Sequence, residues 1–169
     1  NLFRVEHAVS ADLAAQVLAT DWIGLPWQRQ EGQENWARRR ITDSAIPWID
    51  QWHQEISSQW NAIEQCVGRR LHPYSGTAWW VDEPGFTCSM HTDGEMPGSM
   101  HLTWRGPGTA FYWHKDSNTL RYQTPEHANA GYIMINQADN TGYRQLLWHA
   151  MLTPSDSYRI TSYTWITPQ

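Results

Sequence analysis

His91, Thr92 and Asp93 close an apolar run in Gly85-Phe86-Thr87-Cys88-Ser89-Met90-His91-Thr92-Asp93. They are the residues in this chain whose types and spacing look most suited to chemistry. In an extended segment, side chains two residues apart project from the same face, so an imidazole and a carboxylate at this spacing bring their heads together. One imidazole and one carboxylate are two of the three ligands of a 2-His-1-carboxylate site, the arrangement that holds non-heme Fe(II) and leaves coordination positions open. The third ligand should be a distant histidine on another strand. His149 fits, in the apolar run Leu146-Leu147-Trp148-His149-Ala150-Met151. With eight histidines in 169 residues, the H-x-D spacing alone carries little weight.

A second element adds to it. Arg159 follows His149 by ten residues, and Thr161 shares its strand face. A buried guanidinium fork suits a carboxylate, and a neighbouring hydroxyl can donate one more hydrogen bond.

H-x-D, a distal His, then R-x-[ST] about ten residues on resembles the pattern of the Fe(II)/2-oxoglutarate-dependent oxygenases, in particular their prolyl-hydroxylase-like branch. Asp82-Glu83-Pro84-Gly85-Phe86 is similar to that family's turn into the metal strand, Gly108-Thr109-Ala110-Phe111-Tyr112 to its mid-barrel strand, and Asn129 to Asn136 to the strand before the distal histidine. The resemblance covers about residues 76–167. It implies His91, Asp93 and His149 as Fe(II) ligands, 2-oxoglutarate as cosubstrate anchored by Arg159 and Thr161, and O2 as oxidant. It further implies a dioxygenase that hydroxylates a substrate and releases succinate and CO2. The family's halogenases replace the carboxylate ligand with a small residue, so Asp93 points to hydroxylation. Two other readings stay open on the residues alone: a cupin-type jelly roll with zinc or manganese on His91 and His149, and a non-catalytic barrel holding a sugar or peptide.

The elements that must position these groups divide the chain in two. Ser10 caps a helix over Ala11 to Leu18 with Leu13, Val17 and Leu18 on one face. Residues 26–40 lack a clean period and read as a loop or as a lid carrying Trp27, Trp36 and Arg38-Arg39-Arg40 toward substrate. From Asp43 or Ser44 to Gly68, the residues Ile46, Ile49, Trp52, Ile56, Trp60, Ile63 and Val67 recur at three- and four-residue intervals, which predicts one helix of about 20 residues. From Leu71 on, short runs rich in Trp, Tyr, Thr, Val and Ile alternate with turn residues. Strands are predicted near 76–82, 86–91, 99–105, 109–114, 119–123, 131–136, 144–151 and 158–166. The expected architecture is a mainly β domain, a double-stranded β-helix or jelly roll over 71–169, with residues 1–70 as helical support.

Composition sets limits on the rest. The chain suits one domain. A net charge of −5 argues against a dedicated duplex nucleic-acid binder. Twelve tryptophans mostly fill a core, while Trp79, Trp80, Trp104, Trp113 and Trp148 are candidates for the mouth of a pocket. Trp80, Trp104 and Arg39 are the substrate-contact candidates. His101 faces the same region as a polar wall or substrate contact rather than a fourth ligand. Cys66 and Cys88 form no redox or zinc motif and read as free thiols, which together with the absence of an apolar signal core suggests a cytoplasmic protein. A peptide, amino acid or other small molecule is the expected substrate, with no membrane partner.

Overall fold

The computed structural model describes residues 1–28, 38–86, 88–93, 97–116, 118–124, 127–136, 147–151 and 156–169. In chain order the elements are β1 (Leu2–Glu6), α1 (Ala11–Ala19), β2 (Trp27–Gln28), β3 (Arg38–Ile41), α2 (Ile49–Ser58), α3 (Trp60–Val67), β4 (Thr77–Asp82), β5 (Gly98–Arg105), β6 (Thr109–Tyr112), β7 (Leu120–Gln123), β8 (Ala130–Ile135), β9 (Trp148–Met151) and β10 (Arg159–Trp165). The major sheet runs β1-β8-β5-β10-β4-β3-β2 and the minor sheet β7-β6-β9, with antiparallel pairing throughout. This is the expected jelly roll braced by helices.

Three features depart from the sequence reading. The first 70 residues are not helical support alone, because β1 pairs with β8 and β3 pairs with β4, which widens the major sheet at both edges. The single long helix is divided into a 3-10 turn at Asp43–Ala45, then α2 and α3, which meet at Gln59. Gln59 sends its side-chain amide to the Ala8 carbonyl at 2.9 Å, tying this break to the start of α1. The stripe is nonetheless buried at Ile46, Trp52, Ile56, Ile63 and Val67, and Gly68 ends α3 in the left-handed conformation (φ 70°) that glycine adopts without Cβ strain. Among the described residues of the predicted strand at 86–91, the pairing is one bridge, His91 with His149. Of the proposed lid, 27–28 and 38–41 are short strands; residues 29–37, with Trp36, lie outside the described residues, as do 144–146 of the predicted strand 144–151.

α1 begins where expected: Ser10 Oγ accepts from Leu13 N, while Ser10 N and Oγ both donate to the Glu55 carboxylate at 2.7 Å and pin α1 to α2. Strand alternation then assigns two environments. From β4, Trp79 and Val81 face the helices, while Trp80 and Asp82 face the interior between the sheets. From β10, Arg159 and Tyr163 face that interior, and Thr161 shares their face.

On the helix side, Trp79 is fully buried and its ring centroid lies 4.7 Å from Trp52, 5.0 Å from Trp22 and Trp48, and 6.0 Å from Trp104. Four of these indoles donate: Trp22 to Val17 O, Trp48 to Thr20 Oγ1, Trp52 to Thr77 Oγ1 and Trp104 to Ser162 Oγ. Trp79 Nε1 has no partner among the described residues, so its contribution is packing. Trp79→Ala is expected to destabilise by roughly 3–5 kcal/mol, as full truncation of a buried aromatic does. Trp79→Phe should cost clearly less, since no hydrogen bond is lost; urea denaturation of the two variants measures the difference.

Candidate metal and dicarboxylate site

His91 and His149 are joined by reciprocal backbone hydrogen bonds of 2.9 Å, which place their rings with centroids 4.4 Å apart. Each imidazole is oriented from behind. His149 Nδ1 lies 2.9 Å from Leu147 O and His91 Nδ1 2.7 Å from Ser89 O, contacts in which the ring N–H donates to a carbonyl. That orientation directs Nε2 of both rings at Asp93 Oδ1, 3.5 Å from each. The three ligand atoms lie within 4.8 Å of one another. Two rings fixed through a second nitrogen and converging on one carboxylate are what a divalent transition metal needs from its protein. His91 and Asp93 do come together as their spacing suggested, although the segment carrying them is not a regular strand.

The electrostatics of the cluster follow from this contact. Burial pushes the Asp93 carboxyl up, but hydrogen bonds from His149 and His91 outweigh it and hold the group well below the usual carboxylate range. The Asp93 carboxylate, aided by the Cys88 thiol, raises His91 to about 10. At neutral pH the metal-free protein therefore carries a proton on His91 that a metal must displace. Affinity for Mn(II) should rise about tenfold per pH unit below that value, the slope for one released proton; calorimetric titrations at pH 6, 7 and 8 measure it, and a flat profile would remove His91 from the ligand set.

Beyond the cluster lies a cavity of about 90 Å³ whose lining includes Arg38, Trp80, His101, Tyr132, Arg159 and Tyr163. Arg159 is buried; its Nη1 donates to Asp82 Oδ2 at 2.9 Å and its Nε to Pro107 O at 2.8 Å. Gly106 permits that second contact. At φ +86° it turns the chain so close that a Cβ there would stand 3.0 Å from Arg159 Cβ. Thr161 is fully buried, and its Oγ1 finds no hydrogen-bond partner among the described residues. A buried hydroxyl in that state is costly unless something else satisfies it.

Several contacts of the cavity wall escaped the sequence reading, although Arg38, in the lid cluster, and His101 are among its candidates. Asp82, read as part of a turn, also receives Arg38, with Nε to Oδ1 at 2.6 Å and Nη2 to Oδ2 at 3.1 Å. The Arg38 guanidinium lies over the rings of Phe86 and Trp80, 4.6 and 5.5 Å from their centroids. Tyr132 OH meets His101 Nδ1 at 2.7 Å. His101, enclosed at the cavity wall, is kept neutral first by burial and then by the nearby charges of Arg159 and Arg38. Burial pushes the Tyr163 phenol up to about 12. The pairing of Arg38 with Asp82 had no local signal, because the two are 44 residues apart and meet across a strand ladder.

Two of the expected substrate contacts are elsewhere. Arg39 is one residue out of register with Arg38, so it leaves β3 on the other face, where it pairs with Glu83 and covers the Trp27 ring at 4.8 Å. Trp104 belongs to the tryptophan cluster on the helix side. Of the remaining mouth candidates, Trp80 lines the cavity, Trp113 is exposed beneath Arg121, and Trp148 is half-buried beside His149.

Neither a protein-family model nor a curated protein matches this sequence. Solved structures do. A prolyl-4-hydroxylase from Pseudomonas putida matches with a TM-score of 0.65 at 15% identity, over 99% of this chain and 92% of that one. A prolyl hydroxylase from Trichoplax adhaerens, in complex with a peptide fragment of the hypoxia inducible factor oxygen degradation domain, matches with a TM-score of 0.67 at 8% identity, over 99% and 83%. HygX from Streptomyces hygroscopicus, solved with nickel and 2-oxoglutarate bound, matches with a TM-score of 0.64 at 8% identity, over 99% and 83%. At these identities the chain shares a fold with proteins of this kind, over nearly its whole length.

Proposed function

We propose that this chain is an Fe(II)- and 2-oxoglutarate-dependent dioxygenase that hydroxylates a peptidyl side chain, an amino acid or another small molecule, releasing succinate and CO2. The observation that carries the proposal is the convergence of His91 Nε2, Asp93 Oδ1 and His149 Nε2 at one end of a cavity whose wall holds the buried Arg159. The donor set fits a divalent metal: two oriented imidazoles and one carboxylate, with no further histidine or acid crowding the ligand cluster among the described residues. The far end fits a dicarboxylate, since Arg159 supplies a fixed cation and Thr161 an unsatisfied hydroxyl.

When bound, iron and 2-oxoglutarate together supply the activation of O2 and the oxidising power that a C–H bond requires. The protein's own part is positional. His91, Asp93 and His149 would hold the metal and leave positions open; Arg159 and Thr161 would fix the cosubstrate's far carboxylate. Trp80 and Tyr163 narrow the approach, and neutral His101 with Tyr132 provides a polar wall without adding charge. The peptide bound by the Trichoplax neighbour supports a peptide as one substrate class. Among the described residues, no helix is long and apolar enough to cross a membrane.

The test is release of succinate from 2-oxoglutarate by Fe(II)-loaded protein, run alone and with panels of peptides and free amino acids. Stimulated turnover by one class names the substrate. Metal binding with no consumption of 2-oxoglutarate under any condition would favour the cupin-type alternative.

A further inference from the structure

Arg38 and Arg159 approach a single carboxylate from opposite sides. β4 lies between β3 and β10 in the major sheet, and Asp82 is paired in register with Arg38 on one flank and with Arg159 on the other. Both guanidiniums reach it, Arg38 through two hydrogen bonds and Arg159 through one. Asp82 is 1% exposed, and the Arg38 and Arg159 side chains are 20% and 4% exposed. One carboxylate neutralises one guanidinium, so this group carries a surplus positive charge at the wall of a largely enclosed cavity. A buried charge without a counter-charge is expensive.

No further carboxylate in the described cavity wall cancels it. Apart from Asp93, which belongs to the metal cluster, the described lining holds the Cys88 thiol, which burial pushes up and His91, Arg38 and Arg159 together bring below its ordinary range. Glu83 is taken by Arg39 on the other face. Tyr163 and Tyr132 stay neutral because burial pushes their phenols up. Adding a divalent metal to two neutral histidines and Asp93 contributes one more net positive charge, which makes the filled cavity doubly positive. A dianion restores neutrality, and a monoanion does not.

We propose that Arg38 is a second cosubstrate-binding residue, which together with Arg159 makes this cavity selective for a 2-oxo dicarboxylate over a 2-oxo monocarboxylate. Asp82 is the positioning residue of the pair: it holds both forks in place before the ligand arrives, which lowers the ordering cost of binding. This inference rests on the functional reading above and deepens it, because it assigns the selectivity to β3, a strand outside the motif that suggested Arg159.

The experiment is calorimetric titration of Mn(II)-loaded protein with 2-oxoglutarate and, separately, with pyruvate, which has the same keto-acid group and lacks the far carboxylate. Arg38→Gln leaves Asp82 with Arg159, a balanced pair, so the fold should persist; circular dichroism and a thermal melt check it. The expected result is a loss of at least tenfold in 2-oxoglutarate affinity with pyruvate affinity changed less than twofold, and substantial recovery in Arg38→Lys, which restores the charge without the fork. Unchanged 2-oxoglutarate affinity in Arg38→Gln, with Arg159→Gln defective, would overturn the inference and leave the oxygenase reading standing. Equal losses for both ligands would also overturn it, since Arg38 would then act at the metal end. If Arg38→Gln fails to fold, Arg38→Lys carries the test, and full wild-type affinity together with a lowered melting temperature would reduce Arg38 to a structural partner of Asp82. Wild-type protein that binds Mn(II) and neither ligand would refute the functional reading itself, and the inference with it.

Discussion

Arg159→Ala is expected to weaken 2-oxoglutarate binding to the Mn(II)-loaded protein by a factor on the order of 10² or more, because truncating one member of a buried charge pair costs roughly 3–5 kcal/mol. Metal affinity should stay close to that of the wild type, since Arg159 does not belong to the ligand cluster. The partner of Arg159 in the fold is Asp82, which Arg38 also holds. The variant therefore keeps a neutral Arg38–Asp82 pair and loses the hydrogen bond to Pro107 O. A moderate fall in melting temperature is expected beside the large fall in affinity. Arg159→Lys should bind better than Arg159→Ala and worse than wild type. Intact affinity with a lowered melting temperature would mean that Arg159 serves the fold alone, and would take away the main support for a dicarboxylate cosubstrate.

His149→Ala should abolish stoichiometric Mn(II) or Fe(II) binding. Losing an outer-shell partner of a ligand already costs 10–100-fold in affinity, and losing a ligand should exceed that. His149 is 6% exposed, packed at 5.3 Å from Phe111 and fixed by Leu147 O, so its removal also opens a small void. Asp93→Ala should abolish binding equally while leaving that packing undisturbed, which makes the pair of variants a control on stability. His101→Ala should leave metal content unchanged, because its Nδ1 is committed to Tyr132. Metal analysis of the purified variants decides; retention in His149→Ala with loss in His101→Ala would reassign the ligands.

Sequence alone revealed what short-range pattern encodes. The β-rich half was visible from the change of period after Leu71, and the positions of β4, β5, β6, β7, β8 and β10 fall within a residue or two of the runs that announced them. His91, Asp93 and His149 come together because a two-residue spacing and a distant apolar run were enough to suggest a common face. What escaped notice depends on distant partners. β1 is a strand because β8, roughly 130 residues away, offers it an edge. β3 reads Arg-Arg-Arg-Ile, a poor strand by composition, yet Ile41 is buried and Arg38 faces Asp82 across the ladder. The face each of three consecutive arginines takes is set by register, which the sequence does not display. The division at Gln59 was equally hidden, since the apolar stripe continues through it and the partner of Gln59 is the Ala8 carbonyl.

The place of β10 in the major sheet governs the order in which this protein can assemble. β1, β8 and β5 lie to one side of it and β4, β3 and β2 to the other, and β10 is the strand that joins them. During synthesis the two halves therefore remain separate sheets until residues 159–165 have emerged. The tryptophan cluster, which takes Trp79 from one half and Trp104 from the other, waits for the same event. Joining strands so distant in sequence is slow, because loop closure must precede the contacts that reward it. Asp82 is protected in the interval: Arg38, made long before Arg159, already lies within its own half-sheet and can neutralise it. Refolding from urea should accordingly show the near-ultraviolet tryptophan signal returning in one slow phase, set by the insertion of β10.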